Sequence, residues 1–148
     1  MKTILKINLL LFTMLLISCT TEKEKFLEIK GKVVNTDTKS ILLVKPNQDM
    51  RFDSLIEIPI DSGIFYYKSK LEHPEAVNLF LGEAKNIGGR FMPLFLENEI
   101  IDLTIHSEDE FDKNIVNGGK LNSQYKKYKQ NFEAKFNDRV KPLRDSIS

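Results

Sequence analysis

The sequence contains one cysteine and no tryptophan, and these absences limit its chemistry. A single thiol cannot form an intramolecular disulfide, and it cannot supply the cysteine pair used in thiol:disulfide exchange. Only two histidines are present, His73 and His106, which rules out a histidine-rich metal centre. The formal net charge is +1, so no overall basic character favours binding to nucleic acid.

Motifs that carry chemistry are also scarce. Neither histidine has a second His, Cys or carboxylate at metal-ligand spacing on the same predicted element. The densest acidic cluster, Glu108 to Asp112, lacks the alternating oxygens and central glycine of an EF-hand loop and is typical of a solvated loop. We therefore predict no catalytic residues, no metal site and no cofactor, and we interpret the chain as non-enzymatic. A self-contained enzyme is an alternative, and it requires a concave pocket with convergent polar side chains.

The N-terminus has the order of a secretory signal. Lys2 and Lys6 carry positive charge, and Ile7 to Ile17 is almost wholly apolar. This run is shorter than the roughly 20 residues of a membrane-spanning helix. The tetrapeptide from Leu16 to Cys19 has the pattern of a lipobox, at which a bacterial lipoprotein precursor is acylated on the cysteine sulfur and then cut. We predict a signal peptide over residues 1–18, cleavage between Ser18 and Cys19, and lipid attachment at Cys19; a buried segment of a cytosolic domain is the alternative.

These predictions imply a location for the mature chain. Residues 19–25 would form the lipid anchor and tether, because Thr20 to Lys25 is polar, charged and without periodicity. A single acyl chain binds membranes only marginally, whereas several chains on one cysteine give a lasting anchor. We expect a protein of the cell envelope, lipid-anchored to the outer membrane on its periplasmic or surface face. Because Cys19 is the only cysteine, its acylation would leave the mature chain without a free thiol.

Residues 26–119 show the apolar alternation of β-strands. Leu27, Ile29 and Val33 share one face of the first predicted strand, and charged residues occupy the other face. Turn residues from Asn35 to Lys39 predict a hairpin with the next strand. The remaining predicted strands are Ser40–Val44, Ser54–Ile60, Ile64–Ser69, one around Val77 to Leu81, Arg90–Leu96 and Ile100–Ile105. About seven short strands without intervening helices indicate a mainly β fold, either an antiparallel β-sandwich or a partly open barrel.

Residues 120–148 predict a C-terminal α-helix or connector. Eight apolar residues recur there at steps of three or four and share one helical stripe: Leu121, Tyr125, Tyr128, Phe132, Phe136, Val140, Leu143 and Ile147. Pro142 predicts a kink or an end near Asp138 to Lys141. We expect the first half to pack on the β domain. The second half, with Phe136, Val140, Leu143 and Ile147, has less cover and is the candidate partner face.

Four stretches together resemble a known family: IKGKV, IDSGIFYYKSKLEHPEAVNLF, GGRFMPLFLENEIIDLTI and NGGKLNSQYKKYKQ. The chain resembles the domain of unknown function 4369 found in Bacteroidota lipoproteins, over roughly Phe26 to Phe132. In that family the β-rich domain commonly lies N-terminal to a thioredoxin-like domain of the thiol:disulfide interchange type, with a helical connector between them. No Cys-x-x-Cys motif exists here, so the resemblance assigns no oxidoreductase activity to any residue.

The resemblance implies an accessory role. Our leading hypothesis is a lipid-anchored, non-catalytic binding or docking module that recognises either a thioredoxin-like protein or domain of the envelope, or a small ligand. The membrane, through the lipid anchor, is the other expected partner, and nucleic acid is not expected. The alternative hypothesis is a truncated fragment of a thioredoxin-like oxidoreductase that has lost its catalytic domain.

Overall fold

The structure, a computed structural model, describes residues 24–83 and 89–145. Its elements are β1 (Leu27–Val34), β2 (Ser40–Val44), β3 (Ile56–Asp61), β4 (Ile64–Ser69), β5 (Glu75–Leu81), β6 (Met92–Leu96), β7 (Ile100–His106), a 3-10 helix (Glu108–Lys113), β8 (Ile115–Gly118) and α1 (Lys120–Asp145). The predicted mainly β domain followed by a C-terminal helix is confirmed.

The strands form a single curled sheet of eight strands, in the order β6-β5-β2-β3-β4-β1-β7-β8, which makes a half-barrel. The partly open barrel is therefore the correct form of the prediction. Two details differ from it. The sequence did not predict β8, which is only four residues long. In addition, β1 pairs in parallel with β7, while every other described pair is antiparallel.

The predicted hairpin between β1 and β2 is wrong. β1 pairs with β4 and β7, and β3 and β4 lie between it and β2 in the sheet. The turn residues after β1 do reverse the chain, and Asn35 adopts a positive φ of 56° there. Turn residues show where a chain reverses but not which strand lies next to it, because that choice depends on the packing of the whole sheet.

The concave face of the sheet holds the main core. Its fully buried side chains are Leu27, Ile29, Ile41, Leu43, Ile58, Leu79, Leu94, Leu96, Ile101, Leu103 and Ile105, with Phe65, Val77, Leu81 and Phe111 nearly so. Val33, Ile56, Ile60 and Tyr67 pack against them, so the predicted inward faces are confirmed. A second, smaller cluster of Leu42, Val44 and Phe80 lies under Met50 and Leu55. β2 is consequently buried along its whole length.

The helix α1 is 26 residues long and continues through Pro142 to Asp145. Of the predicted kink or end near Asp138 to Lys141, the end is not found there. Pro142 lies in the last turn, and its missing amide cannot donate a hydrogen bond to the carbonyl of Asp138.

Candidate functional site

The predicted lipid-attachment and cleavage residues, Cys19 and Ser18, lie outside the described residues. The described chain begins at Glu24, whose carboxylate lies 2.7 Å from Nζ of Lys70. This contact holds the pKa of Glu24 below its ordinary value of 4.5. Nζ of Lys68 lies 4.9 Å from the ring centroid of Phe26, in cation–π range. The segment that leads into β1 is therefore held against the end of β4.

The first turn of α1 is hydrogen-bonded to β6, which is an edge strand of the sheet. Oδ1 of Asn122 accepts a hydrogen bond from the backbone amide of Phe95 at 2.9 Å, and Nδ2 donates to the carbonyl of the same residue at 2.7 Å. Asn122 is buried, so this pair of bonds is shielded from water. Its side-chain amide takes the place of a neighbouring strand at this point of the edge.

Two further residues strengthen this junction. The ring of Tyr125 packs on the ring of Phe95, with centroids 5.3 Å apart. Oε1 of Glu97 accepts a hydrogen bond from the backbone amide of Leu121 at 2.7 Å. The first amides of a helix lack intrahelical partners and favour negative charge, and none of the first-turn residues of α1 is acidic. We call Glu97, Asn122 and Tyr125 the helix latch.

Gly118 and Gly119 make the connection between β8 and α1 with positive φ angles of 84° and 72°. A Cβ atom on Gly118 would lie 2.1 Å from the carbonyl oxygen of Ile100, which is far inside van der Waals contact. Glycine is therefore required at Gly118 both for its conformation and for the close approach of β7.

The other quoted motifs serve similar structural purposes. In the FLENE stretch, Asn98 makes the same paired contact with Leu71 that Asn122 makes with Phe95, with distances of 2.9 and 2.8 Å. In the DSGIF stretch, Ser62 and Gly63 turn β3 into β4 with φ angles of 51° and 79°. Several residues that carry the family resemblance thus either form turns or hydrogen-bond to the backbone of a distant segment. Sequence reasoning missed the hydrogen bonds of Asn98 and Asn122, because nothing in a local pattern shows a bond between residues 27 positions apart.

Beyond the latch, α1 carries an exposed aromatic stripe, which we define as Tyr128, Phe132 and Phe136. Their side chains are 64%, 55% and 49% exposed. Adjacent rings of the stripe stack on one another, with centroids 6.2 Å apart in both pairs. The prediction that the first half of the helix packs on the β domain therefore holds only as far as Tyr125.

The structure describes part of the predicted partner face. Phe136 is exposed and Val140 is half-buried. Ile147 lies outside the described residues, and the side chain of Leu143 is also outside them. Exposed aromatic surface on α1 therefore begins at Tyr128, about two turns before the first residue of the predicted partner face.

The acidic cluster is engaged by neighbouring side chains. Glu108 to Lys113 forms the 3-10 helix, and Arg90 lies 2.6 Å from Asp112 and donates to Glu108 through its backbone amide. Arg90 holds the pKa of Asp112 below its ordinary value of 3.8. Glu110 pairs with Lys113 and accepts a hydrogen bond from Asn35, and these contacts lower its pKa in the same way.

The two histidines lie apart. His73 is exposed in the turn before β5. His106 ends β7, and its Nδ1 lies 3.8 Å from Oε2 of Glu110. Within residues 24–83 and 89–145, no three His, Cys, Asp or Glu side chains lie close enough together to hold a metal ion. No helix in the same ranges is both long and apolar enough to cross a membrane.

A cavity of about 230 Å³ lies beside the latch, between α1 and the edge strands β6 and β8. Residues from all three elements line it, among them Met92, Val116 and Tyr125, and Lys126 and Lys129 stand on the helix side. The half-barrel is open at this point, because its two edge strands do not pair with each other. Sequence patterns did not reveal this cavity, since its walls come from three separate parts of the chain.

Of three comparisons with known proteins, one gave a match. Neither the curated proteins nor the solved structures compared with the chain gave a match. Residues 27–125 match the family described as domain of unknown function (DUF4369). The match begins at the first residue of β1 and ends at Tyr125 of the latch, so it includes every strand of the half-barrel. The chain therefore belongs to the DUF4369 family.

Proposed function

We propose that the protein is a lipid-anchored, non-catalytic docking module of the cell envelope, and that the aromatic stripe of α1 binds a thioredoxin-like thiol:disulfide partner. The stripe is the observation that carries this proposal. Three large apolar side chains lie exposed and stacked on one helix. Contiguous exposed apolar surface of this kind marks interaction sites, and aromatic residues are enriched in the buried centres of protein interfaces.

The position of the stripe supports a redox partner. It starts at Tyr128, directly after the family match ends at Tyr125. In the proteins that the chain resembles, the thioredoxin-like domain follows the same helical connector. Acylation of Cys19 would remove the only thiol, so any thiol chemistry would have to come from that partner. Arg139, which is exposed three residues after Phe136 on the same side of α1, suits a partner with an acidic rim around an apolar centre.

The lipobox supports the anchoring part of the proposal. Thioether formation requires sulfur, so replacing Cys19 with Ser should abolish labelling of the protein by a fatty-acid analogue in cells. The same variant should also remain uncut and migrate as the larger precursor, because cleavage follows acylation. Thr20→Ser, beside the lipobox cysteine, serves as the control and should be both labelled and cut. Continued labelling of the Cys19→Ser variant would reject the lipid anchor.

Site-specific photo-crosslinking in intact cells tests the docking part. A photoreactive residue at position 132 or 136 should yield a covalent adduct with a protein that carries a Cys-x-x-Cys motif. Positions 130 and 134 lie on the opposite side of α1, and the same residue placed there should give little adduct. Recovery of the monomer alone, or of homodimers alone, from positions 132 and 136 would contradict the proposal.

A further inference from the structure

The cavity beside the helix latch has the character of a ligand site. Its wall is formed by Met92 and Pro93 from β6, Ile115 and Val116 from β8, and Tyr125 from α1. These side chains are apolar apart from the tyrosine hydroxyl. Ligand pockets are lined in this way, with a few polar groups that orient the ligand.

The cavity does not suit an added β-strand. The backbone amide and carbonyl of Phe95 are both bonded to Asn122, so this part of the β6 edge is occupied. Pro93, two residues earlier on the same edge, has no amide to donate. The volume of about 230 Å³ is also below the roughly 300–1,000 Å³ of pockets that hold drug-sized ligands. A small molecule therefore fits the site better than a protein segment does.

The polar groups at the cavity select the charge of that molecule. Lys126 and Lys129 line it from the helix. Lys129 forms a long ion pair with Glu133, in which Nζ and Oε1 lie 3.8 Å apart, beyond hydrogen-bonding distance. Asn114 lines it from the start of β8. Its Oδ1 accepts a hydrogen bond from the amide of His106, whereas its Nδ2 has no acceptor among the residues that the structure describes. The two ammonium groups favour a ligand with an anionic oxygen group.

We infer that this cavity binds a small amphipathic carboxylate, with its apolar body against the two edge strands and its carboxylate at Lys126 and Lys129. The site does not involve the aromatic stripe, and either proposal can fail without the other. Eight-carbon octanoate, which combines an apolar body with one carboxylate, is a suitable simple probe.

Photoaffinity labelling of the full-length protein in lipid vesicles tests the inference. A diazirine derivative of octanoate should label peptides from β6 and β8, and excess octanoate should compete with it. The corresponding alcohol and amine probes have similar apolar bodies but lack the negative charge, and we expect them to label these peptides about tenfold less. Equal labelling by the alcohol probe, or labelling scattered over the surface, would overturn the inference.

A charge-reversal pair provides the matched control. The double variant Lys126→Glu and Lys129→Glu should reduce labelling by about tenfold, because both ammonium groups become carboxylates. Lys127→Glu with Lys135→Glu makes the same change of charge on α1 away from the cavity, and it should stay within about twofold of the native protein. Lys126→Gln with Lys129→Gln gives an intermediate loss without introducing repulsion. Equal losses in the two charge-reversal variants would show a general charge effect and contradict a site in the cavity.

Discussion

The two parts of α1 differ in what covers them, although one apolar periodicity runs through both. Leu121 and Tyr125 are half-buried against the half-barrel, whereas Tyr128, Phe132 and Phe136 are exposed. At 1.5 Å per residue the helix is about 39 Å long, and its contacts with the sheet involve the edge strands β6 and β8. The sheet supports the first turns of the helix and the rest extends past it.

This contrast shows that apolar spacing identifies a face but not what lies against it. The covered turns owe their position to polar groups: Asn122 bonds to the backbone of Phe95, and Glu97 bonds to the first turn of the helix. The exposed turns are helical without such contacts. The helix latch thus lies at the boundary between the part of α1 that packs on the sheet and the part that is exposed.

The largest expected effect on stability comes from adding a side chain at Gly118, where the chain passes close to β7 just before the helix begins. Gly118→Ala should lower the free energy of unfolding by about 3 kcal/mol or more, since it combines an unfavourable φ with a clash against Ile100. Gly63→Ala is the matched control. It has a similar φ of 79° but no atom closer than 4.0 Å to the added Cβ, so about 1 kcal/mol is expected. Urea unfolding measures both; equal losses would show that the approach of β7 is unimportant.

A smaller effect is expected from breaking the latch itself. Asn122→Ala leaves the amide and carbonyl of Phe95 without their partner, which should lower the stability by about 2 kcal/mol. Hydrogen exchange of the first amides of α1 should accelerate as well. Asn98→Ala removes the equivalent pair of bonds to Leu71 and should reduce stability similarly without affecting the helix selectively. Unchanged exchange in the Asn122→Ala variant would argue that the latch does not hold the helix.

The two parts of the helix can also be compared directly. Tyr125→Ala removes the ring contact with Phe95 and should destabilise the protein by about 2 kcal/mol, as expected for a half-buried aromatic residue. Phe132→Ala should change the stability by less than about 0.5 kcal/mol, because its ring is exposed. Thermal unfolding of both variants measures the difference. Comparable losses would mean that the stripe is already covered by the protein's own chain.

The smallest effect concerns the ion pairs around the edge strands. Arg90 precedes β6 and binds Asp112, which precedes β8. The pKa of Asp112 is lowered in the folded protein, so the pair contributes stability above the ordinary value of 3.8 and loses it as the pH falls below that value. Arg90→Gln should therefore reduce stability slightly at pH 7, and the part of the loss that comes from Asp112 should shrink as the pH falls below 3.8. Arg51→Gln, in a pair between residues two apart in sequence, is the control and should change less. An Arg90→Gln effect of the same size at all pH values would exclude a contribution from the Asp112 carboxylate.

Much of the local structure follows from the sequence. Leu27 and Ile29 alternate with charged residues because one face of β1 is buried, and that alternation is readable without a structure. The start of α1 is marked by Gly118 and Gly119, since positive φ angles favour glycine. The pairing of β1 with β7 was not readable, because it joins strands far apart in sequence, and neither were the cavity and the latch.

The sequence alone determined the segments of seven of the eight strands, where the helix begins and that only one thiol exists. The first two properties depend on residues close together in sequence, through the period of the apolar positions and the glycines at a turn. The third is a residue count. The tertiary structure decided that the sheet curls into a half-barrel, that Asn122 secures the helix to an edge strand, and that the aromatic stripe remains exposed. Each of these depends on groups brought together from distant parts of the chain, whose burial and hydrogen bonding exist only once the sheet has closed around its core.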